Sequence, residues 1–193
     1  MNSVIALDIG GVCIKLHFEN ILQRLGLVQF PEELMKTEGL YESGQIEWPE
    51  WCNRCRKILS LQQSEYDDEK LRKIFVSNLG CEMPGMADQC KIWKKEGRQI
   101  VLFSNIAGIH VEIVEKNISF WNCIDDKIFS FEVKAIKPGQ KIYQIFEEKF
   151  GVPDLYLDDR MDNIEGGRKR GWNSHLFTDA DELEKNKNKL FRK

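Results

Sequence analysis

The chain has 193 residues, 28 Lys and Arg against 31 Asp and Glu, and 42% hydrophobic residues. A chain of that length buries roughly 70% of its extended surface on folding, which suits one domain, or one domain with a sizeable insertion. The formal charge of −3 excludes the strongly basic balance of a general nucleic-acid binder, and the 10% aromatic content argues against disorder.

Membrane and secretory readings find no support either. No apolar run approaches the ~20 residues that span a bilayer. Met1 to Leu7 lacks a basic segment ahead of its short apolar run, so it does not read as a signal peptide. The expected location is cytoplasmic. The six cysteines (Cys13, Cys52, Cys55, Cys81, Cys90 and Cys123) are too sparse for a disulfide scaffold and fit reduced thiols. Cys52 and Cys55 form a solitary C-x-x-C, expected to be helix-face thiols because a structural zinc site needs four ligands.

In chain order, Val4 to Leu7 is the first strand-like run, ending at Asp8 and followed by Ile9-Gly10-Gly11-Val12. Residues from about 17 to 82 then read as helices only. Phe18 to Leu25 is one, Pro31 to Lys36 begins with a favoured first-turn proline, and Trp48-Pro49-Glu50 opens a third. Tyr66 to Leu79 places Leu71, Ile74, Phe75 and Leu79 on one face. From Pro84 the pattern changes to alternation. Pro84 to Glu96 carries Met86, Cys90 and Trp93 at helical spacing, and Ile100 to Phe103 is a strand ending at Ser104-Asn105. Ile128 to Phe131 is a weaker strand. Lys141 to Phe150 is a helix, Leu155 to Leu157 a strand ending at Asp158-Asp159, Asp162 to Arg170 a helix, and Ser174 to Phe177 a last weak strand. The Lys- and Asn-rich end from Glu184 to Lys193 reads as a solvated helix end or tail.

Short continuous apolar runs describe strands buried on both faces, as in a parallel sheet. The expected fold is therefore α/β, a doubly wound Rossmann-like parallel sheet of about five strands, with an all-helical cap inserted after the first strand. Residues 1–16 and 83–193 would form the core domain and residues 17–82 the cap.

Three strands end in polar residues suited to chemistry: Asp8, Ser104-Asn105 and Asp158-Asp159. Open α/β sheets bind ligands beyond the carboxyl ends of their strands, so these distant residues should converge at one edge. Gly10 and Gly11 allow unusual backbone angles and close approach of an anion. Neither a P-loop nor a dinucleotide glycine pattern is present, and no G-x-S-x-G elbow is visible. Adjacent carboxylates at a strand end suit Mg²⁺, a hard cation that takes few carboxylates and keeps waters or phosphate oxygens. Lys137, ahead of Pro138-Gly139, sits at a helix entrance where an ammonium could screen Asp8 from a phosphate; Lys134 and Lys141 compete for that role.

These residues resemble the haloacid dehalogenase-like hydrolase superfamily, most of whose members are Mg²⁺-dependent phosphatases. Its first motif is matched by Leu7-Asp8-Ile9-Gly10-Gly11-Val12, and its second by Val101 to Asn105. Lys137-Pro138 matches the third motif, and Leu157-Asp158-Asp159-Arg160-Met161-Asp162-Asn163 the fourth. The resemblance implies that Asp8 attacks phosphorus and forms an aspartyl-phosphate. It implies Mg²⁺ held by Asp8, the Gly10 carbonyl, Asp158 and Asp159. It further implies phosphate bound by Ser104, Asn105 and the Gly10-Gly11 backbone, with Lys137 stabilising the charge of transfer. The expected substrate is a small phosphorylated metabolite, with a sugar phosphate as one candidate. No nucleic acid or membrane partner is expected, and the protein should be a monomer or homodimer.

One departure stands out. Most phosphatases of this superfamily place a second Asp two residues after the nucleophile as general acid and base, and here that position is Gly10. Within the insertion His17, Glu42 and Glu47 could supply the missing acid, and the sequence does not order them. A non-enzymatic Mg²⁺- and phosphate-binding protein is the alternative that Gly10 raises. A metal-free dehalogenase is disfavoured by the acidic pair and the glycine turn.

Overall fold

The computed structural model describes residues 3–191. A five-stranded sheet is built from β1 (Val4–Leu7), β4 (Gln99–Ser104), β5 (Asp126–Phe129), β6 (Leu155–Asp158) and β7 (Ser174–Leu176). Its order is β5-β4-β1-β6-β7, and every pairing is parallel. The first strand thus lies at the centre, flanked by two strands that arrive later in the chain.

Alternate residues of these strands go to opposite faces. Ile5, Leu7, Ile100, Leu102, Leu155 and Leu157 pack on one side, and Val4, Ala6, Val101, Phe103 and Tyr156 on the other. That two-sided burial is why the strands read as unbroken apolar runs. Helices α5 (Met86–Lys95), α6 (Gly108–Asn117) and α10 (Ala180–Leu190) cover the first face through Met86, Cys90, Trp93, Val114, Leu183 and Leu190. Helices α8 (Gln140–Phe150) and α9 (Met161–Arg168) cover the second through Ile142, Tyr143, Phe146 and Ile164, with Trp172 beside them.

Helices α1 (Phe18–Leu25), α2 (Glu32–Glu42), α3 (Trp48–Leu59) and α4 (Asp68–Phe75) follow the first strand and enclose a core of their own. Trp51 is its centre, fully buried, stacked on Trp48 at 4.8 Å and edge-on to Phe75 at 4.4 Å. Cys52 and Cys55 are buried free thiols in the same cluster. Signals in the sequence account for the ends: Gly26 takes the left-handed C-cap of α1, and the Asp67 carboxylate caps α4 by accepting from the Lys70 N–H at 2.7 Å.

Some expectations need correction. Residues 17–82 are not helical throughout, because β3 (Leu79–Glu82) is a strand pairing antiparallel with β2 (Ile14–Leu16). These short strands are the two crossings between sheet and insert, and a stretch carrying Gly80 and Cys81 shows no alternation to announce them. The strand expected over 128–131 ends at Phe129, where the chain turns into α7 (Ser130–Val133). Helix α6 was not anticipated, its β-branched run from Ile109 to Val114 masking a helical period. Of the helix end or tail expected from Glu184, the described part as far as Leu190 belongs to helix α10, with Lys185 exposed but Leu190 buried in the core. The side chains of Glu184 and of residues 186–189, and residues 192–193 entirely, lie outside the described residues. Arg168 and Arg170, at the end of the helix expected over 162–170, are held in place, Arg168 donating to the Ser174 carbonyl at 3.2 Å and Arg170 to Glu147 at 2.8 Å.

Candidate active site

The register of the sheet builds the site. Leu7 is level with Leu102 on β4 and with Leu157 on β6, so the residues that follow emerge side by side. The Asp8 N–H donates to the Leu157 carbonyl at 2.9 Å, one residue before Asp158. Asp8 is 7% exposed, Ser104 1% and Asp158 0%, so the edge is enclosed rather than open.

Lys137 is the lysine brought to this edge, and its side chain is fully buried. Lys134 and Lys141 are exposed. An ammonium has three protons. Here its Nζ lies 2.6 Å from the Phe103 carbonyl, 2.6 Å from Asp158 Oδ2 and 3.2 Å from Asp8 Oδ1. The Asn105 amide holds the backbone beneath it, accepting from the Lys137 N–H at 2.8 Å and donating to the Lys137 carbonyl at 2.9 Å. Each end of that amide is engaged with the Lys137 backbone, and the second N–H of the amide is left over. The peptide bond from Lys137 to Pro138 is cis.

Asp158 organises the centre. Its Oδ2 accepts from Lys137 and from the Tyr156 hydroxyl at 2.6 Å, and its Oδ1 from the Arg160 N–H at 2.9 Å. The Asn163 amide donates to both oxygens, at 3.0 and 3.1 Å. Burial opposes its ionisation, but the Lys137 charge and these hydrogen bonds hold the carboxyl below its usual range. Asp8 differs. Burial pushes it up to about 6 against the pull of Lys137, with Asp158 adding to the rise and the Ser104 hydroxyl and Ile9 N–H lowering it. Asp159, on the exposed side, is raised by burial and by Asp158.

Asp8, Asp158 and Asp159 place carboxylate oxygens within 4.8 Å of one another. Asp8 Oδ1 is buried and without a hydrogen-bond partner. Hard oxygen donors converging around an unsatisfied buried oxygen fit a divalent cation such as Mg²⁺. The Asp158 oxygens are already filled by protein donors, so the donors left for a cation are those of Asp8 and Asp159. Gly11 makes their approach possible. It has φ +70°, and a Cβ there would lie 2.3 Å from Asp159 Oδ2. At Gly10 a Cβ would lie 2.8 Å from Leu16 Cδ1, so the position of the expected second Asp faces the side chain of a β2 residue.

Sequence reasoning missed Tyr156 and Ser130 and gave Asn163 no role. Tyr156 lies two residues before Asp158 on the same strand, hence on the same face, and strand periodicity could have found it. Nothing local marks Ser130, whose partners come from two distant segments. Its hydroxyl donates to the Glu42 carbonyl at 2.6 Å and accepts from the Ile106 N–H at 2.9 Å.

The three acid candidates of the insert separate clearly. His17 pairs with Glu19 at 2.9 Å, and Glu47 is exposed ahead of α3. Glu42, the last residue of α2, is half-buried. Burial pushes its carboxyl up to about 7, with the Asp8 charge adding and Arg160 and Lys137 opposing. Tyr41 and Trp51, near Glu42 in the insert, belong to the insert's own core.

No family model matches the chain, and neither does any curated protein sequence. Solved structures do match. A HAD family enzyme from Bacteroides thetaiotaomicron, as its magnesium complex, superposes with a TM-score of 0.80 at 22% identity, covering 100% of this chain and 99% of that one. The same enzyme in complex with magnesium and inorganic phosphate gives 0.77 at 21% identity, over 91% and 94% of the two chains. A protein from Porphyromonas gingivalis described as a predicted HAD-like family hydrolase gives 0.80 at 16% identity, over 100% and 99%. With Asp8 at the end of its central strand, a parallel sheet and a helical insert, this chain has the fold of the haloacid dehalogenase-like hydrolases.

Proposed function

We propose that the protein is a Mg²⁺-dependent phosphatase acting on a small phosphate ester through an aspartyl-phosphate on Asp8. The observation that carries this reading is the buried Asp8–Lys137–Asp158 array at the carboxyl ends of three adjacent strands, with Asp159 beside it. The magnesium and phosphate complex of the similar Bacteroides enzyme supports it.

Asp8 and Asp159 would hold the Mg²⁺, together with the Gly10 carbonyl. Bound there, the ion would offset the repulsion between the carboxylate and the phosphate dianion. Asp8 Oδ1, unencumbered by hydrogen bonds, is free to attack phosphorus. Lys137 lies beside it, anchored by Asp158 and the Phe103 carbonyl, and meets the negative charge that spreads over the phosphoryl oxygens during transfer. Its surroundings keep it protonated: burial alone would lower its pKa, but Asp8 and Asp158 raise it. The Ser104 hydroxyl, buried at the end of β4, hydrogen-bonds a phosphoryl oxygen. Asp158, with Tyr156, Asn163 and the Arg160 N–H satisfying its oxygens, acts as the fixed counter-charge that aims Lys137. The helices of residues 17–82 serve as the cap that closes over the substrate.

The test is steady-state hydrolysis of p-nitrophenyl phosphate and a panel of sugar phosphates, with Mg²⁺ and with EDTA. Turnover should require the metal, and Asp8→Asn should reduce it by at least 10³-fold. An Asp8→Asn protein that retained activity would remove the nucleophile from the proposal.

A further inference from the structure

Gly10 leaves the site without a proton donor on the strand that carries the nucleophile, and Leu16 lies where a side chain there would start. The insert presents a carboxyl instead. Ser130 ties the Glu42 carbonyl to the Ile106 N–H, two residues beyond Ser104, and so holds the end of α2 against the rim of the sheet. The next turn is pressed to the same segment: Gly44 has φ +62°, and a Cβ on it would lie 2.3 Å from the Phe131 carbonyl oxygen. Asp8, Arg160 and Lys137 of the site act on the Glu42 carboxyl, and from the insert Glu38 does so too, its own carboxyl being raised by the Glu42 charge. On its own helix Glu38 follows one turn behind, with its Oε2 buried and unpartnered.

We propose that Glu42 is the general acid and base of the reaction, supplied by the insert in place of the residue missing at position 10. This rests on the phosphatase reading above. In the first step an Asp8 oxygen bonds to phosphorus. The bond from phosphorus to the ester oxygen breaks with its electron pair on that oxygen, which takes the Glu42 proton and leaves as the alcohol. In the second step a water oxygen attacks phosphorus and its proton passes to the Glu42 carboxylate. The bond to Asp8 breaks with its pair on the aspartate, and inorganic phosphate departs with Glu42 protonated again. An acid delivered by the insert is in place only when the insert is docked, which couples chemistry to substrate enclosure.

The experiment compares Glu42→Gln with wild type on p-nitrophenyl phosphate, whose leaving group needs no proton, and on an alkyl phosphate such as glycerol 2-phosphate, whose leaving group does. Positioned acid catalysis contributes roughly 10²–10⁴-fold. We expect kcat/KM to fall by at least about 10²-fold on the alkyl ester and by less than about tenfold on the aryl ester. Because hydrolysis of the phospho-enzyme is shared, kcat on the aryl ester should also fall, with a burst of about one equivalent of nitrophenolate. Equal losses of kcat/KM on both esters, or no loss on the alkyl ester, would overturn the role of Glu42. Wild-type turnover of the aryl ester with none of the alkyl ester would also overturn it while leaving the phosphatase reading standing. A wild type inert toward both esters with Mg²⁺ would remove that reading and Glu42 with it.

Discussion

Two glycines at left-handed φ show how differently one residue type can matter. Gly11 and Gly26 have φ +70° and +66°, so a side chain is strained at either. At Gly26 nothing lies within 4 Å of a new Cβ, whereas at Gly11 it would meet the Asp159 carboxylate at 2.3 Å. Both Gly→Ala variants should lose about 1 kcal/mol or more of stability from the backbone alone. Only Gly11→Ala should also displace the Asp159 carboxylate, a ligand in the proposed Mg²⁺ site, weakening Mg²⁺ binding by at least about tenfold in a calorimetric titration. Equal Mg²⁺ affinities in the two variants would show that Asp159 does not depend on this contact. Lys137 illustrates the complementary point. A buried lysine is costly to ionise unless it is paired and hydrogen-bonded, and here the Phe103 carbonyl and Asp158 accept from it while Asp8 stands in ion-pair contact.

At the scale of elements, the decisive joint is between α2 and the segments that follow β4 and β5. Ser130 carries it with a single fully buried hydroxyl serving the Glu42 carbonyl and the Ile106 N–H. Ser130→Ala leaves both backbone groups without that partner, at a cost of roughly 1–3 kcal/mol. The loss should be local. Amide exchange at the C-terminal turn of α2 should accelerate, while α8, held to the sheet by Ile142, Tyr143 and Phe146, should exchange as in wild type. Acceleration spread evenly over both helices would instead mean that Ser130 supports the whole fold. The insert can respond in this way because it has its own core around Trp51, distinct from the two cores of the sheet.

For the whole molecule, buried titratable groups set how stability follows pH. His110 is 8% exposed on α6, and burial pushes it down to about 4 from 6.5. It is neutral in the fold, so the stability it permits is present above pH 6.5 and is lost as pH falls from 6.5 toward 4. Glu38 acts in the other direction. Burial and then the Glu42 charge push it up to about 8 from 4.5, with the Trp51 indole opposing. Its folded form keeps a proton that the unfolded chain gives up, so its contribution is complete below pH 4.5 and is lost as pH rises toward 8. The two slopes oppose each other at mildly acidic pH, and above pH 6.5 the carboxyl slope remains. Stability in EDTA should therefore fall between pH 6.5 and 8.5. Glu38→Gln should flatten that fall and exceed wild type at pH 8.5 by more than about 1 kcal/mol. Urea midpoints at the two pH values measure it, and matching midpoints at pH 8.5 would show that Glu38 ionises freely in the fold.

Much of this protein is legible along the chain. Val4 to Asp8, Ile100 to Ser104 and Leu155 to Asp159 identify themselves because a strand buried on both faces must be continuously apolar and must stop where a polar residue begins. Asp8, Ser104 and the Asp158-Asp159 pair stand out as polar residues at the ends of apolar strands, whereas among Lys134, Lys137 and Lys141 only the fold shows which lysine is buried beside them. What the chain could not express is any relation between its distant parts. Helix α6, the β2–β3 crossing, the engagement of Asn105 with Lys137 and the order among His17, Glu42 and Glu47 all follow from contacts across tens of residues. Local propensity and spacing report what a segment can form. Which carboxyl of the insert feels the charge of Asp8 is decided by the register of the sheet and by one buried serine that draws the insert onto its edge.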